Sequence, residues 1–176
     1  MPRRHPIPRT WLITDERLGE ELWRALRRLP RGSGVVVRHY RSTPAERRAL
    51  ARRIARAVGP ETLVLGAGIS GRDGGHNRVR RAGLTSRSVH DAREVRAAIR
   101  ERADVVFVSP VYPTASHPGA ATLGPRGLLR LARLLPMPVI ALGGMDARRY
   151  APLRRRGIHG WAAIDAWRQK RKAVPT

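Results

Sequence analysis

Two adjacent glycines, Gly143-Gly144, end the apolar run Val139-Ile-Ala-Leu142 and lead to Asp146, where a helical pattern begins. Glycine lets a backbone approach an anion closely, and N–H groups at a helix start attract negative charge, so this turn can hold a phosphate. An ordinary tight turn needs only one glycine. An earlier apolar run, Val105-Val-Phe-Val108, opens into the loop Ser109-Pro-Val-Tyr-Pro-Thr-Ala-Ser-His-Pro-Gly-Ala120, which carries the imidazole of His117. With an ordinary pKa near ~6.5, that ring becomes cationic in acid or beside a bound anion. Both features follow short buried strands, where α/β folds place their ligands. Asp165 follows a third such run, Gly160-Trp-Ala-Ala163. Its carboxylate would repel a phosphate, or cap a last helix itself. Gly66-Ala-Gly-Ile-Ser-Gly71 lacks the Gly-Lys-Ser/Thr ending of a nucleotide phosphate loop.

Such residues need a parallel sheet to position them. Thr10-Trp-Leu-Ile-Thr14 reads as the first strand, and Asp15 opens a helix with Leu18, Leu22, Leu26 and Leu29 on one face, closed by Pro30 and Gly32. Val35-Val-Val37 is continuous and β-branched, as strands buried on both faces are. Thr43-Pro-Ala-Glu46 is a capping box with proline at the first helical position, leading an Arg-rich helix with Leu50, Ile54 and Val58 as its apolar stripe. Thr62-Leu-Val-Leu65 is the third strand, but Gly66 to Gly75 holds five glycines and no amphipathic helix. Gly83-Leu-Thr85 reads as a strand end, and Ser88 as the cap of a helix with Val89, Ala92, Val95 and Ile99. Helices are expected over Leu128–Leu135, Asp146–Arg156 and from Asp165 onward. Seven strands alternate with helices, and an eighth falls near Gly74–Asn77, which argues for a parallel sheet.

At 176 residues the chain suits one domain, yet falls short of the ~250 typical of a full eight-stranded α/β barrel. It has no cysteine, which excludes disulfides and thiolate ligands. No apolar run approaches the ~18 residues of a membrane span, and the start lacks a signal-peptide core, so no membrane partner and a cytoplasmic location are expected. The formal net charge is +23, almost all of it arginine, since Lys170 and Lys172 are the only lysines. The arginines accompany alanine, glycine and proline, all encoded by GC-rich codons, and spread over several helices. With aromatics at 5%, stacking platforms are not written into the chain, and no specific nucleic-acid partner is expected.

From Trp11 to about Trp167 the chain resembles the thiamine-phosphate synthase and TenI family. The resemblance rests on Leu12-Ile-Thr-Asp15, Val37-Arg38, Gly71-Arg-Asp-Gly-Gly-His76, Gly83-Leu-Thr-Ser86, Ser109-Pro-Val-Tyr-Pro-Thr114, Pro118-Gly-Ala, Leu123-Gly124, Val139-Ile-Ala-Leu-Gly-Gly144 and Gly157-Ile-His-Gly160, all in family order. It implies a (β/α)8 TIM barrel over residues 10–169, shortened by reduced third and fourth helical units, with residues 1–9 as an extension and 170–176 as a basic tail. It also implies a transferase of thiamine biosynthesis, which ionises a pyrimidine diphosphate with Mg2+ so that a thiazole phosphate captures the cation. On that pattern His117 and Arg38 are the catalytic candidates. Thr85, Ser86, Thr114, Ser116, Gly143, Gly144 and Ile164 are the substrate-binding ones.

Departures from the pattern fall on one half of that chemistry. Gly66-Ala67 stands where the family carries its Asn-Asp metal pair, and no second acidic ligand follows near Asn77 to Arg80. Asp73 reads as a turn residue. Val36 and Tyr40 replace the glutamine and lysine that flank the family's strand-two arginine, and His117 replaces its loop lysine. The TenI-branch histidine is replaced at Ser109-Pro110. The expectation is therefore a binder of a phosphorylated thiazole-type molecule without metal or cofactor. Two alternatives stand beside it. One is a metal-free acid/base enzyme using His117, Arg38, Tyr40 and His39. The other is a non-catalytic interaction module. A homodimer covering the bare sheet between Gly66 and Gly83 is also expected.

Overall fold

Apolar runs pair side by side in chain order. β1 (Thr10–Ile13), β2 (Gly34–Val37), β3 (Leu63–Ala67), β4 (Gly74–His76), β5 (Leu84–Val89), β6 (Val105–Val108), β7 (Val139–Leu142) and β8 (Gly160–Ala163) are parallel throughout, and β8 pairs with β1 to close a barrel. This computed structural model describes residues 6–77, 83–116 and 119–168. Five helices are present among them: α1 (Glu21–Arg28), α2 (Pro44–Val58), α3 (Ala92–Arg100), α4 (Gly124–Ala132) and α5 (Ala147–Arg154). None of the helices is long and apolar enough to cross a membrane.

Trp11, Phe107 and His76 meet edge to face in the barrel interior, with ring centroids 5.2 and 5.4 Å apart. Trp11 fits only because β2 begins with glycine: a Cβ on Gly34 would lie 2.1 Å from its ring. The indole N–H donates to Pro8 O, and Arg9 O accepts from Trp161 N, so residues 7–9 brace the strand starts. Side chains of the other parity, such as Val106, Val108, Ala141 and Trp161, face the helices and pack with Val95, Leu128 and Leu153. Each fully buried side chain of this size contributes roughly 1.5–3 kcal/mol.

The barrel closes without a third helix. Residues 68–73 cross directly from β3 to β4, with Gly68 N bonded to His76 O and Gly71 N to Gly74 O. Ile69, buried, takes the covering role of a helix against Gly66, where a Cβ would meet it at 2.5 Å. Asp73 sits at the N-terminal end of the strands: its Oδ2 accepts from Val64 N at 2.7 Å and fixes the start of β3.

Close backbone approach makes one glycine indispensable here. Gly74 has φ +152, and a Cβ there would come 1.9 Å from Leu84 O, its partner on β5. Gly59, by contrast, has φ +72 with open space around it. Gly59→Ala is expected to cost about 1 kcal/mol for the left-handed backbone alone. Gly74→Ala should cost about 3 kcal/mol or more, because β4 must separate from β5. Urea unfolding of both variants checks this, and equal losses would contradict the steric account.

Three expectations need correction. β5 runs to Val89, so Ser88 is a strand residue. The helix behind it is capped by Asp91, whose Oδ1 accepts from Glu94 N. No helix starts at Asp165: residues 164–168 form bends and turns, with Trp167 stacked on Trp161 at 5.1 Å. Finally, the buried face of α2 is Arg47, Ala51 and Ile54, with Leu50 and Val58 at its margin. The capping box at Thr43 and Glu46 is present as written.

Arg47 is the unexpected member of that face. Its side chain is 8% exposed, and its guanidinium donates to three carbonyls: His39 O at 2.8 Å, Ala67 O at 2.7 Å and Ser42 O at 2.9 Å. One side chain thus ties the loop after β2 to the end of β3, where a following helix would otherwise organise the chain.

Candidate functional site

The C-terminal strand ends surround a cavity of about 620 Å³. Ile13, Leu142 and Ala163 provide apolar wall, while Arg38 and Tyr40 follow β2, and His76, Asn77, Ser88 and His90 come from the ends of β4 and β5 and the residues just beyond them. Thr114 and Ser116 enter from the loop after β6, Gly143 and Gly144 from the turn after β7, and Ile164 and Asp165 from beyond β8.

Gly143 (φ +92) and Gly144 (φ +58) form an anion-accessible turn, and no described residue accepts a hydrogen bond from Gly144 N or Met145 N. Packing explains why there are two glycines. A Cβ on Gly143 would meet Pro110 Cα at 2.7 Å, and one on Gly144 would meet Pro113 O at 2.5 Å. Behind the turn, Arg149 donates to Gly144 O and lies 4.6 Å from the Tyr112 ring centroid. Thr114 Oγ1 and Ser116 Oγ lie 3.1 Å apart on the facing loop.

Arg38 projects from the end of β2, its main chain set by a hydrogen bond from its N–H to Thr14 Oγ1. Its Nη2 donates to Asp15 Oδ2 at 2.8 Å, while its buried Nε has no partner among the described residues. Burial works to raise the Asp15 carboxyl. The Arg17 N–H and the guanidiniums of Arg17 and Arg38 overcome that and hold it below its ordinary value. Arg38 is therefore a partly neutralised cation whose buried Nε–H is still unused.

At the cavity wall a polar cluster joins the end of β4 to β5. His76 Nδ1 lies 2.9 Å from Ser86 Oγ and its Nε2 3.2 Å from Ser88 Oγ, and Asn77 bonds Ser88 through both amide atoms. Burial, followed by the positive charges of Arg38 and Arg87, pushes the His76 pKa down to about 3. The ring is therefore neutral, and with two serine partners it fixes their hydroxyls.

Arg38, Thr114, Ser116, Gly143, Gly144 and Ile164 all line the cavity. Thr85 and Ser86 do not line it. The N–H and Oγ1 of Thr85 both donate to Asp104 Oδ2 near the strand starts, and Ser86 is buried below. Their place at the rim belongs to Ser88 and His90, since β5 continues beyond Thr85. The pattern Asp91-x-x-Glu94 is the signal that marks this later boundary. Tyr40 reaches the cavity, but the ring of His39 does not line it. Burial, the largest influence on His39, lowers its pKa, and its Nε2 has no partner among the described residues. His117 lies outside the described residues. Asp165 keeps its carboxylate at the rim, paired with Arg168 at 3.3 Å.

The residues present do not fit a resident divalent cation. Hard cations take several carboxylate or carbonyl oxygens. At Ala67 the carbonyl is instead taken by the Arg47 guanidinium, and Asp15 and Asp165 each hold an arginine. No cluster of three or more His, Cys, Asp or Glu side chains is arranged to hold a metal among the described residues.

The family model described as thiamine monophosphate synthase matches residues 69–167. The chain belongs to this family. A thiamine-phosphate synthase of Anaeromyxobacter dehalogenans is 40% identical over 86 residues, covering 47% of this chain and 38% of that protein. One from Chloroflexus aurantiacus is 32% identical over 80 residues, covering 45% and 37%. The match thus spans well under half the length of these relatives. Among solved structures, the thiamine phosphate pyrophosphorylase of Pyrococcus furiosus superposes with a TM-score of 0.70 over 90% of this chain and 86% of that one, at 20% identity. A likeness at that identity is one of fold. The thiamine monophosphate synthase barrel is thus retained here with six residues, and no helix, between β3 and β4.

Proposed function

We propose that this member of the thiamine monophosphate synthase family is a cytoplasmic protein of thiamine metabolism. In this reading it binds a small phosphorylated heterocycle of the thiazole-phosphate type and does not perform the Mg2+-dependent joining reaction. The observation that carries the reading is the asymmetry of the cavity. On one side the N–H groups of Gly144 and Met145 point a donor turn at the cavity, with the Thr114 and Ser116 hydroxyls on the facing loop. On the other, β3 gives the cavity no lining residue, and the carbonyl at its end, Ala67 O, is taken by the Arg47 guanidinium of α2, where an Mg2+–diphosphate pair needs oxygen ligands. Leu142 and Ile164 supply apolar surface for a ring between the two. The Arg168 partner of Asp165 limits that carboxylate's repulsion of the phosphate.

Two measurements test the two halves of this reading. Thiazole phosphate at about a hundred times its dissociation constant should stabilise the fold by ~2.7 kcal/mol, read as a raised melting temperature. Inorganic phosphate should give less, and no shift with any phosphate ligand sinks the binding assignment. Incubation with pyrimidine diphosphate, thiazole phosphate and Mg2+ should yield no thiamine phosphate, and robust turnover sinks the second half alone.

A further inference from the structure

We propose that the groove beside α2, left open by the missing third helix, is a docking strip for the sugar–phosphate backbone of a nucleic acid, bound without regard to base sequence. The groove measures about 340 Å³, with Arg48, Arg52 and Arg56 along one wall and Ser70, Gly71 and Arg72 along the other. The three helical arginines recur every four residues, so they share one flank about 6 Å apart along the axis. All three are exposed, and none meets a carboxylate among the described residues. Arg72 closes the groove rigidly, its guanidinium spent on the Asp73 carboxylate and on Ala55 O, Gly59 O and Thr62 O in and after the last turn of α2.

Like charges at this spacing destabilise a helix unless an anion lies across them. The chain has little of its own to offer. Glu46, Asp91 and Asp146 cap helices, and Asp15, Glu61 and Glu101 hold other arginines. With 13 acidic residues against 36 basic ones, the field stays uncompensated. A helix or a second apolar surface would need apolar side chains on this flank, and only Ala51 and Ala55 lie between the arginines. A second copy docking by the same strip would set guanidiniums against guanidiniums. What fits is an occupant with regularly spaced negative charge. No aromatic side chain lines the groove, so phosphates are engaged and bases are not read.

Fluorescence anisotropy of the full chain with a labelled mixed-sequence single strand of about 20 nucleotides tests this, titrated between about 50 and 200 mM salt. The variant Arg48→Gln, Arg52→Gln, Arg56→Gln should lose at least about tenfold in affinity, and its log–log salt slope should flatten by about 2, the share of three phosphate contacts. The lysine counterpart at the same positions should keep most of the binding. A control, Arg130→Gln, Arg133→Gln, Arg154→Gln, should change affinity by less than about twofold, because those arginines lie elsewhere. Equal losses in both triples, or no wild-type binding at about 100 mM salt, would overturn the proposal. So would competition by poly-glutamate as effective as competition by unlabelled oligonucleotide. If the glutamine triple loses its helical circular dichroism, Arg52→Gln alone decides: unchanged affinity overturns the strip.

Discussion

Replacing Arg47 by alanine is expected to remove about 3–5 kcal/mol of stability, a fall of roughly 10 °C in melting temperature for a domain of this size. The guanidinium satisfies the carbonyls of His39, Ser42 and Ala67 in a setting with little water. Charge-assisted bonds of this kind are worth about 1.5–3 kcal/mol each, and a truncated side chain leaves the acceptors to find partners in a cavity. The three contributions do not add independently, which sets the lower total. Arg47→Lys should recover less than half, since a single ammonium cannot span three carbonyls on two segments. Denaturant unfolding supplies the measurement. A loss below about 1 kcal/mol for alanine would show that water replaces the guanidinium freely.

The second large effect is acid sensitivity centred on His76. Its folded pKa is held near 3 by burial and by the positive charges of Arg38, Arg87 and His90, whereas an unfolded histidine takes up its proton near ~6.5. Between those values the unfolded chain binds a proton that the folded chain refuses, so stability falls as pH falls. From pH 6 to pH 4 the loss from this one group is about 2–3 kcal/mol. Asp15 pushes the same way, because its lowered pKa supplies stability that is also lost in acid. His76→Gln removes the histidine share and leaves the Asp15 share. The gap between the two proteins in urea should therefore narrow or reverse from pH 6 to pH 4, and parallel curves would refute the assignment.

Strands buried on both faces were legible because nothing interrupts their apolar runs: Val35–Val37, Val105–Val108 and Val139–Leu142 carry few side chains that favour another state. The turn at Gly143-Gly144 was legible for a related reason, since its backbone demand admits no substitute. β5 was not. Its inward positions are Ser86 and Ser88, whose hydroxyls are satisfied by a buried histidine from β4, and such polar residues read locally as a helix cap. Arg47 was hidden for the same reason. An arginine on an Arg-rich helix looks solvent-facing until the shortened crossing after β3 brings Ala67 O within its reach. The pairing of Arg38 with Asp15 likewise needs β1 and β2 side by side.

Arg149 stands outside the cavity, yet it determines which way the Gly143-Gly144 turn points its hydrogens. A trans peptide is planar and aims its C=O and N–H in opposite directions. With Gly144 O drawn toward α5 by the guanidinium, and that guanidinium braced on Tyr112, the Met145 N–H is turned away from the helix. Two glycines alone would leave this plane free to flip, and a flipped plane would present a carbonyl oxygen to an incoming anion. The cation behind the turn therefore acts on polarity without touching ligand: it keeps the unit between Gly144 and Met145 a donor.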